Sequence, residues 1–180
     1  MPIRTAVVPL ETVFELRWSV LRPGLPRESA RFAEDAREGA FHIAAYATDA
    51  DAGDGADAGD GADAGDGADA GDGADAGDGR VLGCGSFYPE PFPGPGGLPG
   101  PAYRMRGMAS AAAARGRGYG AAVLAAGTAE ARARGARVLW CNGRTEARGF
   151  YERHGYRVHG EEFTIEGVGP HHVFARELSG

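Results

Sequence analysis

Arg115-Gly116-Arg117-Gly118-Tyr119-Gly120 stands between a strand-like segment, Tyr103 to Ser110, and an alanine-rich stretch, Gly118 to Arg134, that reads as a helix. A helix N-terminus carries unpaired N–H groups and partial positive charge, so it holds phosphate well. The glycines let the backbone approach an anion with no Cβ in the way, and Arg115 and Arg117 add cationic donors. The turn is not a P-loop, because no Gly-Lys-Ser/Thr follows. It is also a poor dinucleotide fingerprint: it comes after five or six elements, with no acidic residue at the end of the next strand.

Working outward, Ile3 to Val8 reads as a strand. Thr12 to Leu21 reads as a helix, with Val13, Leu16 and Val20 on one face and Pro23 as its stop. Ser29 to Arg37 reads as a second short helix. Phe41 to Ala47 and Arg80 to Tyr88 read as the arms of a β-hairpin, and the Pro/Gly-rich stretch Glu90 to Pro101 as a loop. Gly135 suits the left-handed position that ends the alanine-rich helix. Arg137 to Cys141 reads as a strand. Thr145 can cap a helix running to His154, with Gly155 past its end. Tyr156 to Ile165 and His172 to Leu178 read as the last strands. The sum is an α/β domain with a central mixed, mostly antiparallel sheet flanked by helices.

Between the hairpin arms the unit Asp-Ala-Gly-Asp-Gly-Ala repeats, and residues 51–79 hold ten aspartates and no other charged residue. With no large aliphatic or aromatic side chain and with like charges throughout, this stretch reads as a solvated loop. Its spacing fits neither the EF-hand loop nor the Gly-rich calcium nonapeptide. The expected organisation is one domain over 1–180, interrupted by a low-complexity insert at 49–79. The chain carries a net charge of −6, so the part outside the repeat carries +4. That balance suits an anionic ligand and does not require nucleic acid. Two cysteines, Cys84 and Cys141, have no Cys or His at ligand spacing, so no metal is expected. With no export signal and no run of roughly 20 apolar residues, the reading is a cytoplasmic protein without membrane contact.

Arg-x-x-Gly-x-Gly at a strand-to-helix junction resembles the pyrophosphate-binding motif of the GNAT superfamily of N-acyltransferases. Arg106-Gly107-Met108-Ala109-Ser110 resembles the strand that holds the pantetheine arm. Ala147-Arg148-Gly149-Phe150-Tyr151-Glu152-Arg153-His154-Gly155-Tyr156 resembles the superfamily's Phe-Tyr-Glu-Lys-x-Gly-Phe segment, and Gly169-Pro170-His171-His172 resembles a Gly-x-Pro-His ending of some bacterial members. One departure is Ala111 to Ala114, where the family carries a proline and a charged residue; it is expected to alter local stability more than chemistry.

The resemblance implies acetyl-CoA as acyl-donor substrate and a primary amine as acceptor, in a monomer or homodimer. Backbone groups of Met108 and Ser110 would meet the pantetheine amides, and those of Arg115, Gly116, Arg117, Gly118, Tyr119 and Gly120 the pyrophosphate. The fifth strand would splay from the fourth, with the thioester in the gap. Tyr151 would be the general acid for the departing thiolate. No glutamate stands on the fourth strand, so the base stays open among His171, His172, Glu162 and an ordered water, with His171 the one named. Asn142 and Arg144 follow the fifth strand and would line the acceptor cleft. The acceptor loops are expected at Leu21 to Arg31 and Pro89 to Pro101. Cys141 reads as a packed thiol, lacking a His or Asp partner near it in sequence. The competing reading is a GNAT-like module that binds acyl-CoA as a sensor or scaffold without turnover.

Overall fold

The computed structural model describes residues 2–48, 79–94 and 96–178. The insert expected at 49–79 lies outside these residues, apart from Gly79. The elements are β1 (Thr5–Val8), α1 (Leu10–Leu21), β2 (Phe41–Tyr46), β3 (Val81–Pro89), β4 (Ala102–Ser110), α2 (Tyr119–Ala133), β5 (Val138–Arg144), α3 (Arg148–Arg153), β6 (Arg157–Ile165) and β7 (Gly169–Glu177). Among the described residues the strands form one sheet in the order β1-β2-β3-β4-β5-β7-β6. In this sheet, among the described residues, only β4 and β5 pair in parallel. No helix among the described residues is long and apolar enough to cross a membrane.

Alternation along β2 shows how the two faces are used. Ile43 and Ala45 pack with Tyr119, Val123 and Leu124 of α2. Ala44 and Tyr46 pack with Val13, Leu16 and Val20 of α1. The two helices therefore cover opposite faces, and Tyr151 brings α3 to the α2 face. The alanine-rich α2 lies close to the sheet because Gly127 leaves room for the Phe87 ring: a Cβ there would fall 2.0 Å from Phe87 Cζ. Gly135 (φ +89°) and Gly155 (φ +82°) close α2 and α3 in the left-handed conformation expected of them.

Two expected helical features differ. The segment 29–37 is two 3₁₀ turns, Arg27–Ala30 and Ala33–Ala36, separated by extended Arg31 and Phe32. The Asp35 carboxylate causes the break: it accepts the Phe32 backbone N–H at 2.8 Å and pairs with buried Arg17 of α1 at 2.7 Å. Thr145 does not cap α3. A 3₁₀ turn, Thr145–Ala147, precedes the helix, and the Thr145 hydroxyl donates to the Glu162 carboxylate at 2.8 Å.

Candidate functional site

Strands β4 and β5 pair only at Ala102–Arg104 with Val138–Trp140. Beyond Arg104 the two strands have no mutual register, although β4 runs on to Ser110 and β5 to Arg144. The splay leaves one backbone edge of each strand without a strand partner among the described residues. Backbone polar groups need a partner, so these edges have hydrogen-bonding groups to offer a ligand or water.

A bulge shapes the β4 side of the gap. Cys84 pairs with Ala109 and Ser86 with Arg106, so Gly107 and Met108 together face Gly85. Gly107 sits at φ +66°, a left-handed position that favours glycine. The extra residue switches the strand's faces: Met105 packs with α2, whereas Ala109 packs with α1. A glycine inside a strand pattern signals such a bulge, and the sequence reading passed over it.

The gap opens into a cavity of about 290 Å³ that reaches both faces of the sheet. On the α2 and α3 face it is lined by Met105, Met108, Cys141, Ala147 and Tyr151; on the α1 face, by Leu21, Arg22, Phe32, Arg106, Asn142, Arg144 and His171. Register assigns these faces. Cys141 opposes Phe174, which lies in the α2-side core, whereas Arg144 opposes His171 and Asn142 opposes Val173. Directly opposed residues share a face. The site residues expected from sequence at Met108, Asn142, Arg144, Tyr151 and His171 thus meet in one cavity. His172 and Glu162 do not line it; they approach each other at 3.7 Å elsewhere. The first acceptor loop contributes Leu21 and Arg22 at its start, and Phe32 just beyond it. The other, Pro89 to Pro101, contributes nothing to the wall: Phe92 and Leu98 pack on Val138 and Trp140 instead. Arg22, Phe32 and Gly143 are wall residues that no motif marked, and Arg106 was marked only as part of the β4 motif.

Tyr151 is buried, stacked on Phe174 at 4.6 Å and edge-on to Phe150 and Tyr156. Gly143 makes this packing possible, because a Cβ there would meet the Tyr151 ring at 2.6 Å and the Phe174 ring at 2.7 Å. Burial, reinforced by the adjacent Cys141 thiol, pushes the Tyr151 hydroxyl well above its ordinary range and keeps it a donor. Burial likewise pushes Cys141 up to about 12, so it is a packed thiol and not a nucleophile. His171 is buried, and its Nδ1 lies 2.8 Å from the Gly169 carbonyl oxygen. A carbonyl only accepts, so Nδ1 carries a proton, and Nε2 is the ring nitrogen left to accept one.

The glycine turn leads into α2. Arg115 to Gly118 are exposed, and Gly116 (φ +74°) and Gly118 (φ +92°) both take left-handed conformations. Gly118 is the N-cap, not the first helical residue. The first α-helical bond runs from Ala122 N–H to the Gly118 carbonyl, 2.9 Å, so the N–H groups of Gly120 and Ala121 lack an intrahelical acceptor. A Cβ added at Gly120 would face Ser110 Oγ and Phe150 Cζ, each at 3.8 Å. Gly120 thus borders the end of β4 and α3, while Ser110 and the turn residues Arg115 to Gly120 do not line the cavity itself. The preceding Ala112–Ala114 form a 3₁₀ turn anchored by buried Ala114, which is how the chain turns without the proline.

The sequence profile described as Acetyltransferase (GNAT) family matches residues 63–156. An uncharacterized N-acetyltransferase, YitI, of Bacillus subtilis strain 168 is 26% identical over 176 residues, covering 98% of this chain and 97% of that protein. Among solved structures, Escherichia coli ElaA superposes with a TM-score of 0.64 at 13% identity, over 98% of this chain and 100% of its own. An acyl-CoA N-acyltransferase from Pseudomonas aeruginosa superposes with a TM-score of 0.61 at 14% identity, over 97% of this chain and 99% of its own.

Proposed function

The chain belongs to the acetyltransferase (GNAT) family, and from that premise we propose that it moves an acetyl group from acetyl-CoA directly to a primary amine while both are bound. The observation that carries this reading is the cavity at the β4–β5 splay, with a donor, Tyr151, on one face of the sheet and an acceptor nitrogen, His171 Nε2, on the other. The open N–H groups of α2 and the free edge of β4 suit pyrophosphate and pantetheine on the Tyr151 side. The amine then enters from the His171 side.

In the reaction, His171 Nε2 takes the proton that the amine loses as it attacks the thioester carbonyl. The N–C bond forms, the C–S bond breaks, and the thiolate departs on the Tyr151 side. The Tyr151 hydroxyl stabilises that sulfur by donating its hydrogen bond; the thiolate then takes a proton from water, and His171 returns its proton to solvent. Because burial makes Tyr151 a weak acid, its contribution is donation to developing charge more than full proton loss. The two buried cysteines are retained as thiols, which fits a cytoplasmic protein.

The test is a thermal-shift titration with acetyl-CoA, followed by a panel of amines monitored for free thiol. Saturation near 100 times Kd stabilises by about 2.7 kcal/mol. Amine-dependent release of CoA excludes a binding-only module. Absence of any stabilisation by acetyl-CoA overturns the donor assignment.

A further inference from the structure

We propose that the acceptor is a small amine that also carries a carboxylate, held at a cationic wall formed by Arg22, Arg106 and Arg144. This deepens the acyl-transfer reading and rests on it. The α1 face of the cavity holds these three guanidiniums together with Asn142 and His171, and among the described residues no carboxylate lines any part of it.

The three arginines are unequally compensated. Arg106 pairs with half-buried Glu34 at 3.1 Å and lies over the Phe32 ring, so it is fixed in place. Arg144 lies 3.5 Å from Glu146, but both side chains are more than half exposed, and such a pair is worth little in water. Arg22 reaches only backbone carbonyls among the described residues: Nε donates to Ser29 O at 3.3 Å and Nη1 to Leu21 O at 3.2 Å. Among the described residues its charge has no counter-ion. Two of the three guanidiniums thus have charge to offer an incoming group, and a planar fork matches a carboxylate.

The wall also acts on the amine. Neighbouring positive charge disfavours the ammonium form, and an amine must be neutral to attack. The carboxylate therefore supplies the binding while the guanidiniums help strip the proton that His171 receives. A diamine or a lysine-rich peptide meets repulsion at the same wall. The cavity volume, about 290 Å³, confines the charged head to amino-acid size.

The experiment uses the full chain and two readouts. Turnover with acetyl-CoA is compared for amino acids, their carboxamides and simple diamines. Binding is measured by calorimetric titration of N-acetyl amino acids and N-acetyl amino amides, with and without CoA. The free acids are expected to exceed their carboxamides at least tenfold in kcat/KM and in product affinity. Arg22→Gln and, separately, the more exposed Arg144→Gln should each cut that preference severalfold, with KM for acetyl-CoA unchanged. Carboxylate-selective binding without any turnover would refute transfer and support the anion site. Turnover that favours carboxamides or diamines, or an acid preference untouched by either substitution, would refute the anion site while transfer stands.

Discussion

Replacing Gly120 by alanine separates stability from ligand binding, because the two are expected to move in opposite directions. Gly120 lies in the first turn of α2 and is not among the positive-φ glycines. An added Cβ meets Phe150 Cζ and Ser110 Oγ at 3.8 Å, ordinary contact that displaces nothing. Alanine is favoured over glycine in a helix by about 0.5–1 kcal/mol, so the ligand-free protein should melt higher by roughly 1–4 °C. The same methyl projects into the groove between β4 and α3, over the N–H groups assigned to pyrophosphate. Loss of one hydrogen bond to a charged group costs about 1.5–3 kcal/mol, which is a tenfold or greater loss of acetyl-CoA affinity. The assay is calorimetric titration of acetyl-CoA into both proteins, beside thermal unfolding without ligand. Affinity within about threefold of wild type, with melting unchanged or raised, would refute the assignment of this turn. Gly118→Val is the less clean test. At φ +92° a branched side chain strains the backbone, so weaker binding there mixes strain with blockage.

Four further outcomes are expected. Tyr151→Phe should keep acetyl-CoA affinity, because the ring still stacks on Phe174, yet lower kcat by about 10²; wild-type turnover would remove the hydroxyl from the mechanism. Gly127→Ala should lower the urea midpoint. Its Cβ would fall 2.0 Å from Phe87 Cζ, and that ring is already stacked on Phe41 at 5.0 Å, so overpacking of about 1–3 kcal/mol exceeds the helix-propensity gain. Burial lowers the His42 pKa below that of the unfolded chain, more than nearby Asp35 raises it. Stability should therefore hold above about pH 6.5 and fall as pH drops below it, by at most about 1.4 kcal/mol per pH unit; urea midpoints of wild type and His42→Gln at pH 7.5 and 5.5 should show a flatter dependence in the variant. Cys84 and Cys141, both pushed to about 12 by burial, should resist thiol reagents at neutral pH until the chain is denatured, so a thiol assay reads released CoA alone.

What the sequence disclosed was what short segments encode. The glycine turn, the stops at Pro23, Gly135 and Gly155, and the order of strands and helices, apart from the helix expected at Ser29 to Arg37, follow from local chemistry. Each is found within a residue or a few of its expected position. The face on which Tyr151 sits was also legible, since Ala147, Phe150, Tyr151 and His154 recur at helical spacing from the N-cap to the C-cap of α3: His154 Nδ1 donates to the Phe150 carbonyl at 2.7 Å, and Ala147 and Tyr151 reach the cavity. Which face of the sheet His171 occupies was not legible. It depends on the pairing of β5 with β7, and a shift of one residue would exchange His171 for His172.

Arg17 shows why the rest of the wall stayed hidden. A charged residue within the apolar stripe of an amphipathic helix reads as a break in the pattern, yet Arg17 is fully buried. Burying a guanidinium costs several kcal/mol unless partners satisfy it, and its partners come from three distant segments. Nη1 donates to the Ala30 carbonyl at 3.1 Å and to Asp35 at 2.7 Å, and Nη2 donates to Ser86 Oγ on β3. Ser86 in turn lies 2.7 Å from His42 Nδ1 on β2. The Arg17 guanidinium covers the Phe32 ring at 4.4 Å, and a Cβ on Gly107 would meet its Nε at 3.2 Å. One buried cation thus fastens both 3₁₀ turns to the sheet, seats Phe32 in the cavity wall and backs the bulge in β4. None of these contacts is local, so no spacing rule could find them. The proposed catalytic pair could be guessed from motifs, whereas the surface proposed to select the acceptor exists only once α1, the turns and β4 have closed around Arg17.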